Sequence, residues 1–305
     1  MEGIQNIAVK REKDSKLLGE SKLDESLYLL KEDEAAFFKS QTGIQDDEAL
    51  KQHIISVQTE AYKIYPYPCI RVFAFTSLTI SRLPGYSQLL KLGKEREGAI
   101  FLDIGCCFGN DIHKAVADGF PAHNAIGSDL QAEFWDLGHK LFNSTPTSFP
   151  AHFIPGDALD TKFVSADPPL TTPPSEPAPE LGSLTTLTPL RGHVSAIHAS
   201  SFFHLFDEAQ QAYLARVMAG LLSPLPGSII FGTHSGCLKK GRQGDQGKPD
   251  VPWADIFGHS VESWIELWDG EVFPKGTVQV DAKLVDITAE NGIRLQFLQW
   301  SVTRL

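Results

Sequence analysis

The chain has 305 residues and a formal net charge of -11. That length can bury the core of one large or two small domains, and the acidic balance argues against nucleic acid, whose phosphates need clustered Lys and Arg. Four cysteines, Cys69, Cys106, Cys107 and Cys237, occur without a CxxC pair or a metal-site spacing, so they read as reduced structural thiols of a cytoplasmic protein; no metal is expected, and no apolar run suits a signal core or a membrane span.

Residues 1–20 are polar with mixed charge and read as an arm or an early helix. Over residues 46–64 an apolar stripe through Leu50, Ile54, Ile55 and Val57 predicts a helix. It breaks at Tyr65-Pro-Tyr-Pro-Cys-Ile-Arg71, where each proline keeps its predecessor extended and two tyrosines make a rigid aromatic elbow. Phe73, Phe75 and residues 78–80 read as a helix or buried segment that stops near Leu83-Pro-Gly85. Residues 1–95 are thus expected to form a helical cap or lid, which could also make a homodimer contact, and residues 96–305 a second domain.

From residue 99 strands and helices alternate, the pattern of a parallel sheet with crossover helices. Strands are expected at 99–104, 124–128, 153–155, 193–199 and 228–233, and helices at 110–118, 134–142 and 208–222. Asp207 caps the last of these, and Pro224 follows its end. Residues 161–180 hold six prolines between Pro168 and Pro179 and predict an extended surface loop without a site of its own. Residues 239–249 are too rich in glycine for a settled strand and read as a mobile loop. Ser260 caps a helix over 261–268, with Glu262 near its positive end. Residues 277–287 and 293–303 alternate as two antiparallel strands joined at Glu290-Asn-Gly292. The expected fold is α/β and Rossmann-like, with a seven-stranded, mostly parallel sheet and an antiparallel end.

The turn Phe101-Leu-Asp-Ile-Gly-Cys-Cys-Phe-Gly109 carries the most chemistry. A dinucleotide turn uses GxGxxG and holds a pyrophosphate on helix amides. Here the glycines stand as Gly105-x-x-x-Gly109, and Asp103 directs negative charge at the turn. A carboxylate suits a cationic amine, which points to S-adenosylmethionine; an NAD site would leave Asp103 facing a pyrophosphate with one glycine misplaced. Asp129, 26 positions after Asp103, stands where a ribose diol is received. Asp157 closes the next strand and suits the adenine amine, with Ala158 and Leu159 against the ring. As structural residues, each acid would simply cap a helix. At the fourth strand end Ala199, Ser200 and Ser201 let a ligand approach the backbone, and Phe202 and Phe203 suit a transfer channel. His198 points either into the core or at the cofactor, and His204 is a hydrogen-bond donor, a base or a structural histidine.

The chain resembles the small fungal class I methyltransferases of meroterpenoid and related secondary-metabolite pathways. The resemblance spans residues 61–300 and rests on the elbow at 65–71, Ile80-Ser-Arg-Leu-Pro84, Leu102-Asp-Ile-Gly-Cys-Cys-Phe-Gly-Asn-Asp111, Phe134-Trp-Asp-Leu-Gly138, His198-Ala-Ser-Ser-Phe-Phe-His-Leu-Phe206 and Glu262-Ser-Trp264. It implies that Asp103, Gly105, Cys106, Gly109, Asp129, Asp157, Ala199 and Ser200 serve S-adenosylmethionine. Tyr65, Asn110, Asp111, Leu130, Ala158 and His198 complete the expected cofactor set. One departure is Gly232-Thr-His-Ser-Gly236, where His234 replaces a longer polar group.

The resemblance implies methylation of a small hydrophobic acid or hydroxyl. A carboxylate acceptor needs no base, and Arg71 would hold it by a paired hydrogen bond. A phenol or other hydroxyl would need His204, His234 or His259 as base. Arg71, His204 and His234 are the catalytic candidates, and Phe202, Phe203, Trp253, Phe257 and Trp264 an apolar wall. A noncatalytic S-adenosylmethionine-binding partner protein is the alternative of a different class.

Overall fold

The computed structural model describes residues 22–244, 255–288 and 294–305. The expectations for residues 1–20, for Trp253, for the turn at 290–292 and for residues 245–249 of the loop at 239–249 fall outside the described residues. No helix among the described residues is long and apolar enough to cross a membrane. The chain divides into two compact units: residues 1–78, 107–110 and 131–150, and residues 79–106, 111–130 and 151–305.

In the first unit α1 (Glu32–Thr42) and α2 (Asp47–Ile64) are joined through Gly43, whose φ of 76° ends α1. The Asp46 side chain accepts from the Ala49 amide and starts α2, which buries Leu50, Ile54, Ile55, Val57 and Ala61. Gln58 on the same helix is also buried, and its Nε2 donates to the carbonyls of Ile70 and Arg71, both at 3.0 Å. Those bonds tie down the helical turn Pro68–Arg71, which begins at a proline where no amide donor is missed. A second surface of this unit comes from α5 (Ala132–Leu141). His53 Nε2 meets the Leu141 carbonyl at 3.0 Å, and Phe38 stacks on Phe142 with centroids 5.4 Å apart.

The second unit carries β1 (Ile100–Ile104), β2 (Ala125–Ser128), β3 (His152–Phe153), β4 (Val194–His198), β5 (Ile229–Ser235), β6 (Val278–Thr288) and β7 (Arg294–Arg304). They form one sheet in the order β3-β2-β1-β4-β5-β7-β6. The first five are parallel, and β7 pairs antiparallel with both β5 and β6. This is the expected mostly parallel sheet with an antiparallel end. β1, β2 and β4 are buried along their whole length, which is why they read as short apolar runs without alternation.

The helices α3 (Tyr86–Glu95), α4 (Asn110–Ala117), α6 (Glu208–Leu221) and α7 (Val261–Trp268) complete the elements used below. Asp207 and Ser260 cap α6 and α7 by accepting from Gln210 and Ser263 amides, as expected from the sequence. α6 buries Leu214, Val217, Met218 and Leu221, each contributing about 1.5–3 kcal/mol over an exposed position.

Three features differ from the sequence expectation. α1 and α3 were not expected, although Tyr86, Leu89 and Leu92 do form the buried stripe of α3. The proline-rich segment has no helix or strand over 161–180, yet it is not a detached loop: Phe163 and Val164 are buried, and the carbonyls of Pro168 and Leu170 accept from Arg191 and Arg304. Gly241–Arg242 pairs antiparallel with Phe257–Gly258, a short ladder where glycine content had argued against any strand.

Candidate active site

The candidate site of the second unit lies at the carboxyl ends of β1 to β5, where open α/β sheets place ligands. β1 leads into the turn at Gly105, which has φ 73°; Cys107 follows at 49° and Gly109 at 69°. A left-handed Cys107 is backbone strain of about 1–3 kcal/mol, a cost that residues at binding sites often carry. The amides of Gly105 and Cys106 both donate to the Ser128 carbonyl, at 2.8 and 3.2 Å, so the turn is held to the end of β2. Cys106 is buried, and neither cysteine of the turn is in a disulfide.

Within the first unit the far side of the turn is equally constrained. A Cβ on Gly138 of α5 would lie 2.2 Å from the Phe108 carbonyl oxygen, and one on Gly109 would lie 2.6 Å from the Trp135 ring. The Phe134-to-Gly138 segment thus needs glycine at 138, where its backbone approaches Phe108. Asn110 is buried at the start of α4. Tyr65 packs its ring on Tyr67 at 4.3 Å, and Arg71 Nε donates to the Lys22 carbonyl at 3.0 Å.

Asp103 does not face outward into the turn as the sequence suggested. It is 2 % exposed, and its Oδ1 accepts from His198 Nδ1 at 2.8 Å. The cause is strand register: Asp103 on β1 is the direct partner of His198 on β4, so both side chains leave the same face. A buried carboxylate requires a partner, and the imidazole supplies it. That places His198 inside, with Asp111 Oδ2 4.0 Å from the same ring nitrogen and the Ser200 hydroxyl 2.6 Å from Nε2. Burial alone would lower the His198 pKa, but the Asp103 charge, its hydrogen bond and Asp111 outweigh burial and raise it. Burial raises Asp111 to about 6, with His198 opposing and Asp103 adding to the rise. The Asp111 Oδ1 also accepts from the Ile80 amide at 3.2 Å.

Asp129 and Asp157 are half-buried at the ends of β2 and β3, and Leu130 is 39 % exposed. The Asp157 Oδ1 accepts from the Leu159 amide at 3.0 Å, closing a local turn, and Ala158 is buried beside it. Ala199 is fully buried, its amide donating to the Phe231 carbonyl, while Ser201 takes φ 52° with its amide on Thr233. The stretches 103–111, 128–134 and 153–160 contain carboxylates but no Lys or Arg. This donor set fits a sulfonium, an α-ammonium and sugar hydroxyls, and it does not fit a pyrophosphate.

The ends of β4 and β5 carry a separate histidine and aromatic cluster. His234 is wholly buried, and its Nδ1 accepts from the Trp300 indole at 3.0 Å. Trp300 was not singled out from the sequence; it stands opposite Gly232 in the β5–β7 register, where the missing side chain leaves room. Phe203 and Trp264 pack on His234 at 5.6 and 4.7 Å, and His259 lies 5.2 Å from Trp264. Burial holds His204 and His259 down at about 4, and His234 well below its ordinary value, with His204 and His259 adding to the effect. His234 is therefore a core residue of this cluster, and its packing and low basicity do not suit the expected base role. His204 Nδ1 is buried without a hydrogen-bond partner.

Residues 23–76 match the family described as "Meroterpenoid methyltransferase N-terminal domain". The chain is 32 % identical to the O-methyltransferase phiE of Fungal sp. (strain ATCC 74256) over 75 % of its own length and 68 % of that protein. It is 30 % identical to the Asnovolin E/Chermesin D methyltransferase nvfJ of Aspergillus novofumigatus, covering 83 % of this chain and 82 % of the relative. Among solved structures, a SAM-dependent methyltransferase from Anabaena variabilis aligns with a TM-score of 0.46 at 12 % identity, over 86 % of this chain and 96 % of that one. The sheet order, the glycine turn, the family match and the two fungal relatives agree: the chain belongs to the fungal class I S-adenosylmethionine-dependent methyltransferases of the meroterpenoid and secondary-metabolite type.

Proposed function

We propose that the enzyme transfers a methyl group to the carboxylate of a small, hydrophobic, terpenoid-like acid, forming its methyl ester. The observation that carries this reading is the low basicity of His204, His234 and His259, the three histidines a hydroxyl acceptor would need as base. With His204 and His259 near 4 and His234 held low, none is matched to removing a phenol or alcohol proton at neutral pH. A carboxylate acceptor is already ionised and asks only for orientation and exclusion of water. The Phe202 ring beside Gly105 of the turn supports an apolar acceptor, whereas Phe203 and Trp264, expected as pocket wall, are fully buried in the His234 cluster.

S-adenosylmethionine supplies the electrophilic methyl group. Gly105 and Cys106 lie in the turn assigned to its amino-acid end, Asp129 is assigned to its ribose, and Asp157 with Ala158 to its adenine. Gly109, Asn110 and Tyr65 keep their assignment to the cofactor through the family motif. Arg71 keeps its assignment to the acceptor carboxylate through the paired hydrogen bond a guanidinium can offer, and its Nε bond to Lys22 is the competing structural role.

The test is product chemistry. Incubation with the methyl donor and matched terpenoid acids and phenols should give a methylated product that mild alkali hydrolyses back to the acid. An alkali-stable methyl ether, lost on substitution His204→Asn, would refute the carboxyl reading and favour a base-assisted one.

A further inference from the structure

Asp103, His198 and Ser200 form a hydrogen-bonded line from the buried floor of β1 to the half-buried tip of β4, with contacts of 2.8 and 2.6 Å. The Asp103 carboxylate only accepts, so His198 Nδ1 carries a proton in either charge state. The state of Nε2 then decides which way Ser200 works. A neutral ring presents a lone pair at Nε2, accepts a hydrogen bond from the Ser200 hydroxyl, and leaves the hydroxyl oxygen as an outward acceptor. A protonated ring donates Nε2–H to Ser200 Oγ and turns the hydroxyl proton outward, as a donor polarised by the cation behind it.

The surroundings select the second state. The ionisable groups facing the ring are Asp103 from β1 and Asp111 from α4, both acidic, and the aromatic neighbour from β5, Phe231, is uncharged. Two carboxylates at 2.8 and 4.0 Å from one ring nitrogen favour the cation despite burial, in agreement with the raised His198 pKa.

We propose that Ser200 is a carboxylate-recognising residue, its hydroxyl locked as an outward donor by the Asp103–His198–Asp111 assembly. The proposal rests on the methyl-donor and acid-acceptor reading above. Two carboxylates meet that description, the one on the methionyl end of the donor and the one on the acceptor acid. The assembly also explains why Asp103, expected to act on the cofactor directly, is sealed beneath the turn: it positions His198, and His198 positions Ser200.

The test combines spectroscopy of the ligand-free protein with calorimetry. Imidazole nitrogen NMR should show His198 protonated at both nitrogens at neutral pH. Ser200→Ala should weaken S-adenosylhomocysteine by roughly tenfold, the value of one hydrogen bond to a charged group, and leave 5′-methylthioadenosine, which lacks the carboxylate, unchanged. That pattern identifies the donor's carboxylate. A KM for the acid acceptor raised by a similar factor, with both nucleosides unaffected, identifies the acceptor's carboxylate instead. Ser200→Thr, which keeps the hydroxyl, should restore either effect, and His198→Asn should abolish the loss of affinity that wild type shows as pH rises through the His198 pKa. A ring protonated at only one nitrogen, or Ser200→Ala without effect on any of the three ligands, overturns the proposal while leaving the methyltransferase reading standing. Wild-type protein that binds neither nucleoside would remove both.

Discussion

Replacing His259 with asparagine should make the protein less sensitive to acid. The asparagine amide can occupy the place of the imidazole Nδ1, which lies 2.9 Å from Ser263 Oγ, so the local bond survives while the titrating ring is removed. In wild type, burial with help from Lys240 pushes the His259 pKa down to about 4 from 6.5. A depressed histidine binds fewer protons folded than unfolded, so its stabilising contribution is complete above the unfolded value and lost as pH falls through the folded one. Between pH 7 and pH 5 this one ring should cost wild type about 2 kcal/mol, a large share of the ~5–15 kcal/mol that holds a typical domain. His204 and His234 act in the same direction, and Asp111, raised to about 6, acts against them. The His204 and Asp111 contributions are common to both proteins and cancel in the comparison, and His234 loses only the part that His259 adds to the larger effect of burial. Urea denaturation at the two pH values, followed by tryptophan fluorescence, reads the difference, because Trp264, Trp268 and Trp300 are all buried. Equal acid destabilisation of wild type and His259→Asn would refute the reasoning.

Gly138→Ala should destabilise the helical unit by about 1–3 kcal/mol in a urea titration, because a Cβ 2.2 Å from the Phe108 carbonyl forces two backbones apart and outweighs the gain in helix propensity. Gly109→Ala should weaken S-adenosylhomocysteine at least roughly tenfold by calorimetry, since alanine would carry the φ of 69° and collide with Trp135. Asp207→Ala removes both the cap of α6 and the anchor of its capping box, and should lower stability by about 1 kcal/mol. An unchanged midpoint would show that the packing of α6 holds its first turn without the cap.

Much of the fold was legible because its signals are local. Asp207 and Ser260 stand directly before apolar stripes, and both prove to be caps. Each buried strand shows as a short apolar run ending at a small or acidic residue. α1 escaped because its first turn, Glu32, Asp33 and Glu34, reads as a charged surface, although acids there complement the helix dipole and Gly43 marks its end. α3 carried a usable stripe at Tyr86, Leu89 and Leu92, and Gly93 within it weakened the signal. Packing of the proline-rich segment had no local signal, since it depends on partners as distant as Arg304.

The sequence by itself determined the kind of protein: a glycine turn between carboxylates, an alternating α/β order and a set of motifs shared with one enzyme family. It could list Asp103, Asp111, His198 and Ser200, but not how they work, because Asp103 and His198 are 95 positions apart. Only the parallel register of β1 with β4 sets them side by side, and only their burial makes the pairing obligatory. The same holds for His234, one of the three histidines that a hydroxyl acceptor would need as base. Trp300, brought opposite by β7, and the aromatic packing around it make it a neutral member of the core. Charge state follows from desolvation and from neighbours distant in sequence, and both are properties of the folded chain.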